Sequence, residues 1–484
     1  MAADLGAESG RVLLGRFDGG RVELEEVHRF PHAPVRVLGG LRWDALRVLS
    51  EIVEGLGRGC RAAGDDVESV AVDSWGVDVA LLDADGDLIA NPFAYRDPRT
   101  EGMMDRAHER MSREAVYAAT GVQQLPINTL YQLLAYEGSR ALEAADGMLF
   151  VPDLMAYWLC GERACEETVA STSQVWDPAA RAWAWPVIDG VGLPRRLFGP
   201  LVAPGTELGR LRDDVTRDAR LARPVPVTAV AAHDTASAVA AVPAEGEDFA
   251  YVSSGTWSLV GVELPAPVRS PEALRRNLTN EWGVGGRVRF LRNVMGLWLV
   301  QECRRTWARE GDERSYDELV ALAEAAPAGG SLVDPDLPEF LAPGDMPARL
   351  RDACARTGQS APEGHGAVVR CVLESLACKY RWVLERVAEA CGRPYSRIHV
   401  VGGGSRNPLL CQLTADLTGR PVLAGPVEAT AFGNVLVQAQ ARGRVGSLEE
   451  IRAVVRASAD VWAYEPGDRR DDLWARFERV VGAR

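Results

Sequence analysis

The chain has 484 residues, 47% hydrophobic and 25% charged. That is the profile of a globular protein too long for one hydrophobic core, so two or three domains are expected. Its formal charge of −14 argues against a nucleic-acid backbone as partner, since that role needs clustered Lys and Arg, yet leaves room for a small anionic cofactor in a local pocket.

The elements begin with strands. "GRVLLGRFDGGRVELEEVHRF" is two alternating runs around "FDGG" and predicts a β-hairpin. "DALRVLSEIVEGLGRGCRAAG" carries apolar residues at helical spacing and predicts an amphipathic helix ending near glycine. "VESVAVDSWGVDVALLDADGDLIANPFAY" predicts a buried strand, a turn at "DADG" and another strand, and longer helical stretches follow at "EAVYAATG" and "LPINTLYQLLAYEGSRAL". The second half repeats this grammar. "EGEDFAYVSSGTWSLVGVEL" is strand, tight turn, strand; "GAVVRCVLESLACKYRWVLERVAEACG" is a long helix; "SRIHVVGGGSRNPLLCQLTADLTGRPV" is strand, glycine loop, helix. The halves share this order of elements without obvious residue identity, which points to a structural duplication. "AVPAEGEDF" interrupts the apolar pattern and sets the expected boundary, giving domains 1–243 and 244–484.

No apolar run is long enough to span a bilayer. The opening "MAADLGAESGR" lacks the basic and apolar segments of a signal peptide, so a cytoplasmic protein is expected. Lys379 is the single lysine, read as coding bias toward arginine. The nine cysteines are scattered without a C-x-x-C and predict reduced, mostly buried thiols. Cys354 and Cys371 lie near each other, and nothing in the sequence requires them to pair. The six histidines include no H-E-x-x-H, and no metal cluster is read from them.

Three turns could hold phosphate or a nucleotide. In "DLGAESGR", Asp4 sits at a strand end and Gly6 and Gly10 flank a turn that can aim backbone N–H groups at phosphate oxygens, with Arg11 adding charge. In "SSGTWS", Gly255 permits unusual backbone angles and Thr256 offers a hydroxyl and an N–H. In "VVGGGSRNPLLCQLTADL", Gly402, Gly403 and Gly404 lie between a strand and a helix, where backbone can approach a bulky ligand; Asn407 stands where a dinucleotide fingerprint has its third glycine. Each alone is also an ordinary glycine turn. No Walker A motif, protein-kinase motif or G-x-S-x-G elbow is present.

The run "VAAHDTASAV" places His233, Asp234 and Thr235 inside small apolar residues. A carboxylate there can accept a proton from an attacking hydroxyl. Its unperturbed pKa of about 3.9 makes it a weak base, which phosphoryl transfer tolerates because its loose transition state depends on positioning and charge. A helix N-cap by Asp234 or Thr235 is the bland alternative. A hydrolytic triad is disfavoured, since triad members normally converge from separate places in a fold.

Taken together, "DLGAESGR", "VDSWGVD", "AYRDPRT", "LPINTLYQL", "VPDLMAYWLCGE", "HDTASAV", "YVSSGTWSL", "LRNVMGLWLVQ", "VVGGGSRNPLLCQLTADL" and "AGPVEATAFGN" resemble, in the same order, the FGGY family of carbohydrate kinases. "VDSWGVD", "HDTASAV" and "NVMGLWLVQ" look like the branch acting on L-rhamnulose rather than on glycerol or xylulose. The resemblance implies an α/β fold of two ribonuclease-H-like domains of the actin and hexokinase superfamily, flanking an interdomain cleft. The N-terminal domain would be the sugar side and the C-terminal domain the nucleotide side. It implies ATP and Mg2+ as co-substrate and cofactor, no nucleic-acid or membrane partner, and a monomer or small homo-oligomer. By family role Asp234 would accept the proton of the sugar hydroxyl, and Gly76, His233, Thr235 and Asn293 would line the sugar site. Ala7, Glu8, Ser9, Gly10 and Arg11 would hold the ATP phosphates, Thr256 and Gln301 would contact ATP, Gly403 would lie against adenosine, and Asp4 would position magnesium through water. Other ketoses such as L-fuculose or L-xylulose, and a catalytically silent sensor on the same fold, are the alternatives.

Two departures from the family stand out. Only Met1, Ala2 and Ala3 precede Asp4, so the first strand is expected to be clipped or the start placed late. Ala7 and Glu8 stand where many members carry Thr or Ser; a carboxylate repels phosphate, so Glu8 is expected to point away and the turn to work through backbone N–H groups.

Overall fold

At "FDGG" the Asp18 Oδ1 accepts the backbone N–H groups of Gly20 and Arg21 at 2.8 and 2.7 Å, and Gly19 takes a φ of +104°. This aspartate-glycine turn reverses the chain between β2 (Ser9–Phe17) and β3 (Val22–Pro31), which pair antiparallel over their full length. The computed structural model describes residues 1–64 and 66–482.

Strand β1 (Ala2–Leu5) pairs antiparallel with β2 and parallel with β4 (Ala71–Ser74), giving a sheet of order β3-β2-β1-β4. In the parallel register Asp4 stands opposite Asp73 and Leu5 opposite Ser74. Helix α1 (Ala45–Ala63) covers this sheet. Asp44 caps it by accepting Arg47 N, and its buried face runs through Val48, Ile52 and Leu56. Gly55 lets it approach β2, since a β-carbon there would stand 2.3 Å from Val12 Cγ2.

The expected long strand through "VAVDSWGVDVALL" is broken after Ser74. Val77 takes a φ of +66°, and β5 (Val79–Leu82) pairs instead with Gly147–Phe150 in a separate ribbon. The strand expected after "DADG" shrinks to two isolated bridges, Leu82 to Leu88 and Arg42 to Phe93. The helical stretch expected through "LPINTLYQLLAYEGSRAL" is two short helices, Thr129–Leu134 and Arg140–Ala144. Gly138, at φ +74°, separates them and Ser139 caps the second. Helix α2 (Asp234–Ala240) follows the buried strand Pro226–Ala229.

In the second unit β6 (Phe249–Ser254) turns into antiparallel β7 (Trp257–Leu264). Strand β8 (Val288–Met295), whose residues up to Phe290 belong to the first unit, flanks β7, β9 (Arg397–Val401) runs parallel to β6, and β10 (Val422–Ala424) runs parallel to β9. The order β8-β7-β6-β9 thus repeats β3-β2-β1-β4: an antiparallel hairpin whose inner strand has a parallel neighbour. The duplication read from the order of elements is present in the sheets. Helices α3 (Trp298–Arg309), α4 (Gly364–Cys391) and α5 (Pro408–Thr418) belong to this part; the long helix and the strand–glycine–helix unit fall where the pattern placed them.

The chain divides into a first unit of Met1–Ala241, Glu263–Phe290 and Ala429–Ser458, and a second of Val242–Val262, Leu291–Glu428 and Ala459–Arg484. This differs from a single cut between residues 243 and 244, because two later segments pack within the first unit. Gln438, on the helix Ala429–Ala441, donates to Met1 O at 3.0 Å and accepts from Ser69 Oγ at 2.6 Å. Asn280 N donates to Gly121 O at 2.9 Å. Among the described residues no helix is long and apolar enough to cross a membrane. All nine cysteines are free thiols, and Cys354 and Cys371 are near enough to influence each other's proton affinity.

Candidate active site

In open α/β sheets, ligands gather beyond the carboxyl ends of the parallel strands. In the first unit that edge carries Asp4 on β1, Asp73 and Ser74 on β4, and His233, which is bridged in parallel to Ser74. The buried segment Val230–Ala232 reaches this edge through backbone bonds to one carboxylate. Glu166 Oε2 accepts Ala232 N at 3.0 Å, Val169 N at 3.2 Å and the Thr168 hydroxyl at 2.5 Å, and that hydroxyl in turn accepts His233 N at 3.2 Å. Burial pushes Glu166 up to about 7 despite these bonds. The small residues of "HDTASAV" follow from packing: a β-carbon on Gly433, in the helix Ala429–Ala441, would stand 1.9 Å from Ser237 O.

Helix α2 starts at Asp234, and His233 is its N-cap residue without a side-chain capping bond. The capping alternative therefore does not hold. Asp234 is the first helical residue, and its Oδ1 accepts the N–H of Thr235 at 2.5 Å and the Thr235 hydroxyl at 3.1 Å. Its side chain is 28% exposed, while those of its neighbours His233 and Glu281 are buried. Burial, then the charge of Asp4, push the Asp234 carboxyl up to about 7. Burial and the Arg289 guanidinium hold His233 well below the usual histidine range, so it is neutral.

The β1–β2 turn closes with Gly6 N on Ser9 O at 3.0 Å. Gly10 must be glycine, because a β-carbon would lie 2.2 Å from the Phe30 ring. His32 holds the turn from outside: its Nε2 contacts Gly6 O at 2.6 Å and its N–H donates to Glu8 O at 3.2 Å. Arg11, expected to add charge for phosphate, forms an ion pair with Asp4. Gly76 is fixed by packing, since a β-carbon there would stand 2.7 Å from Thr172 Oγ1. Beside it Trp75 and Trp43 both donate to Asp78 Oδ2, at 2.9 and 2.6 Å.

The second unit gathers Thr256, Gln301 and Gly403 around the β6–β7 turn. Gly255 N bonds Trp257 O at 2.8 Å, and Thr256 O accepts Gly296 N and Trp298 N at 3.1 and 3.2 Å, docking the start of α3 on the turn. Gly296 permits this approach, since a β-carbon would lie 2.7 Å from Ser258 Oγ. Gln301, in the first turn of α3, has a buried Oε1 without a hydrogen-bond partner among the described residues. Gly404 is pressed on Ser254, whereas a β-carbon on Gly403 would meet nothing within 4 Å. Asn407 caps α5 through Leu410 N at 3.0 Å. Asn293 lies on β8, three residues before Gly296; Asp336 anchors that strand through Met295 N at 3.1 Å and Arg292 at 3.3 Å.

Several residues of the site escape sequence reasoning. Asp73 is fully buried, accepts Asn434 Nδ2 at 2.5 Å, and leaves Oδ1 without a hydrogen-bond partner among the described residues. Burial and the neighbouring Asp4 push its carboxyl well above the usual range. A charge inside the apolar run "VAVDSW" is the signal that singled out Asp234, and it applied here too. Arg289, Glu281 and Glu166 carry no such signal.

The donor set suits a magnesium ion carried by phosphates better than a protein cage. Among the described residues no group of three or more His, Cys, Asp or Glu side chains could hold a metal, and Mg2+ is commonly held by one or two carboxylates plus substrate phosphates. Asp4, at the carboxyl end of β1, could supply the one carboxylate of such a site.

Residues 4–241 match the N-terminal domain and residues 250–442 the C-terminal domain of the FGGY family of carbohydrate kinases. The chain is 44% identical to a rhamnulokinase of Bacteroides thetaiotaomicron over 485 residues, covering 99% of each chain. It is 40% identical to a rhamnulokinase of Enterococcus faecalis, covering 99% of this chain and 97% of the relative. Its fold matches a gluconate kinase from Lactobacillus acidophilus with a TM-score of 0.79 at 15% identity, covering 99% and 95% of the two chains. It also matches a xylulose kinase from Rhodospirillum rubrum with a TM-score of 0.77 at 20% identity, covering 99% and 97%. With its duplicated sheets and matches to both domains along nearly its whole length, the chain belongs to the FGGY family of carbohydrate kinases.

Proposed function

We propose that this kinase transfers the γ-phosphoryl group of ATP to the 1-hydroxyl of L-rhamnulose, giving L-rhamnulose 1-phosphate and ADP, as a cytoplasmic enzyme of L-rhamnose catabolism. The observation that carries the chemistry is Asp234, at the open end of the sheet with a carboxyl pKa raised to about 7. A carboxylate of that strength is a better base than an ordinary aspartate and is matched to neutral pH. The sugar oxygen attacks the γ-phosphorus, the bond to the β-phosphate oxygen breaks, and the hydroxyl proton passes to Asp234. The choice of sugar rests on the two relatives named rhamnulokinase at 44% and 40% identity over nearly full length.

Gly76, His233 and Thr235 of the first unit line the sugar site in this reading. Ala7 to Arg11 take the phosphates through the turn that Gly6 and Gly10 shape, Thr256 and Gln301 contact ATP, and Gly403 offers an open backbone surface to adenosine. Asp4 would position Mg2+ through water, and the ion would supply charge neutralisation on the phosphates.

The test is ADP release measured with a panel of ketoses. L-rhamnulose should give the highest kcat/KM; a clear preference for L-fuculose or L-xylulose overturns the substrate, and binding of sugar and ATP without turnover overturns the activity.

A further inference from the structure

We infer that Arg289 is a positioning residue that fixes His233 in its neutral Nε2–H tautomer, so that the ring presents a proton donor toward Asp234 and leaves Asp234 Oδ2 to take the proton of the sugar hydroxyl.

The geometry begins at the ring's far side. Arg289 lies on β8 with no exposed surface, and its terminal nitrogen sits 3.0 Å from His233 Nδ1. A guanidinium has donors only, so Nδ1 must accept and carry the lone pair. In a neutral ring the proton is then on Nε2. The guanidinium is itself held in two further places: Nε donates to Trp282 O at 3.0 Å, and the other terminal nitrogen lies 3.2 Å from Glu281 Oε2.

Glu281 makes the arrangement a contest. Its Oε2 lies 3.6 Å from the same Nδ1, and a carboxylate there would draw a proton onto Nδ1. Arg289 decides the outcome by donating to that nitrogen and by drawing on the charge of Glu281. The consequence appears on the near side, where Nε2 lies 3.5 Å from Asp234 Oδ1. With the proton on Nε2 this approach is attractive; with a lone pair there it would set two acceptors against each other. Oδ1 already accepts from the N–H and hydroxyl of Thr235, and neither bond uses Oδ2. Burial and the Arg289 charge both disfavour the imidazolium, which keeps the ring in the neutral form where the tautomer matters.

Only the kinetic consequence rests on the proposed function; the tautomer itself is a property of the free enzyme. The full-length protein, labelled with 15N in its six histidines, would be examined by two-bond 1H–15N correlation, with Arg289→Met and Arg289→Lys alongside and His233→Gln for assignment. His233 should show the Nε2–H pattern in the wild type between pH 6 and pH 8, the interval around its ordinary pKa. Arg289→Met should move it to the Nδ1–H pattern and lower kcat on the order of tenfold to a hundredfold. Arg289→Lys, which keeps a donor, should restore the wild-type pattern. An Nδ1–H or doubly protonated His233 in the wild type overturns the inference without any variant, as does an unchanged tautomer in a folded Arg289→Met. A wild-type Nε2–H pattern in an enzyme that does not turn over L-rhamnulose would overturn the substrate and leave the tautomer standing.

Discussion

A β-carbon on Gly433 would stand 1.9 Å from the carbonyl oxygen of Ser237. Two helices from distant parts of the chain therefore meet backbone to backbone, and one of them begins with Asp234. Gly433→Ala cannot be absorbed by a side-chain rotation, because the obstacle is main chain. Overpacking of this kind costs about 1–3 kcal/mol. We expect a lower thermal midpoint together with a fall in kcat, as α2 shifts and carries Asp234 with it. Thermal unfolding and steady-state kinetics on the one variant check both; an unchanged midpoint and kcat would show that the contact does not position the helix.

The raised proton affinity of Asp234 gives the activity a pH signature. Below its pKa of about 7 the carboxyl is protonated and cannot accept the hydroxyl proton. The kcat/KM for sugar, which reports the free enzyme, should fall with unit slope as pH drops below about 7. Asp4 supplies the second cause of the shift, after burial. Asp4→Asn should therefore move the midpoint of this limb to lower pH, whatever it does to the plateau. A limb that stays in place would exclude Asp4 as a source of the shift.

Glu166 predicts a separate effect, on stability. Its folded pKa, about 7, lies above the ordinary value of 4.5. Between those values the folded chain holds a proton that the unfolded chain has released. The contribution is therefore fully present below pH 4.5 and is lost as pH rises through about 7. Asp78, raised to about 6 by burial, acts in the same direction. Chemical denaturation of the wild type and of Glu166→Gln at several pH values should show a shallower decline in the variant across this window. Equal slopes would mean that Glu166 is charged in the folded protein.

Neighbouring glycines at the nucleotide turn should separate structure from binding. A β-carbon on Gly404 would lie 2.0 Å from Ser254 Oγ, whereas one on Gly403 would meet nothing within 4 Å. Gly404→Ala should lower the thermal midpoint. Gly403→Val should leave the midpoint unchanged and raise KM for ATP several-fold with little change in kcat, since it removes only open surface. The reverse pattern would move the adenosine contact elsewhere.

Much of this was legible from residue pattern. The hairpin at "FDGG" was fixed by a side chain bonding its own turn, and the long helix Gly364–Cys391 by sustained periodicity. The duplication could be read as an order of elements, although residue identity between the halves had gone. The failures have local causes. A positive φ at Val77 ends a run that looks continuous, and Gly138 splits a helical pattern whose apolar spacing continues past it. Lys379, the single lysine, is buried with Nζ 2.9 Å from both Asp334 and Asp336, a place suited to a compact ammonium that no sequence pattern announces. At the site, "HDT" was visible because charge interrupts an apolar run. Arg289 and Glu281 were not, because their role depends on a ring that lies more than forty residues away in the chain.

The most direct test is ADP release from L-rhamnulose and ATP by the wild type and Asp234→Asn, each shown to be folded by its thermal midpoint. The substitution keeps the size of the side chain and removes the base. It should lower kcat by roughly 10²–10⁴-fold while leaving KM for ATP near its wild-type value. A folded Asp234→Asn variant with wild-type kcat would contradict the assignment of Asp234 as the proton acceptor.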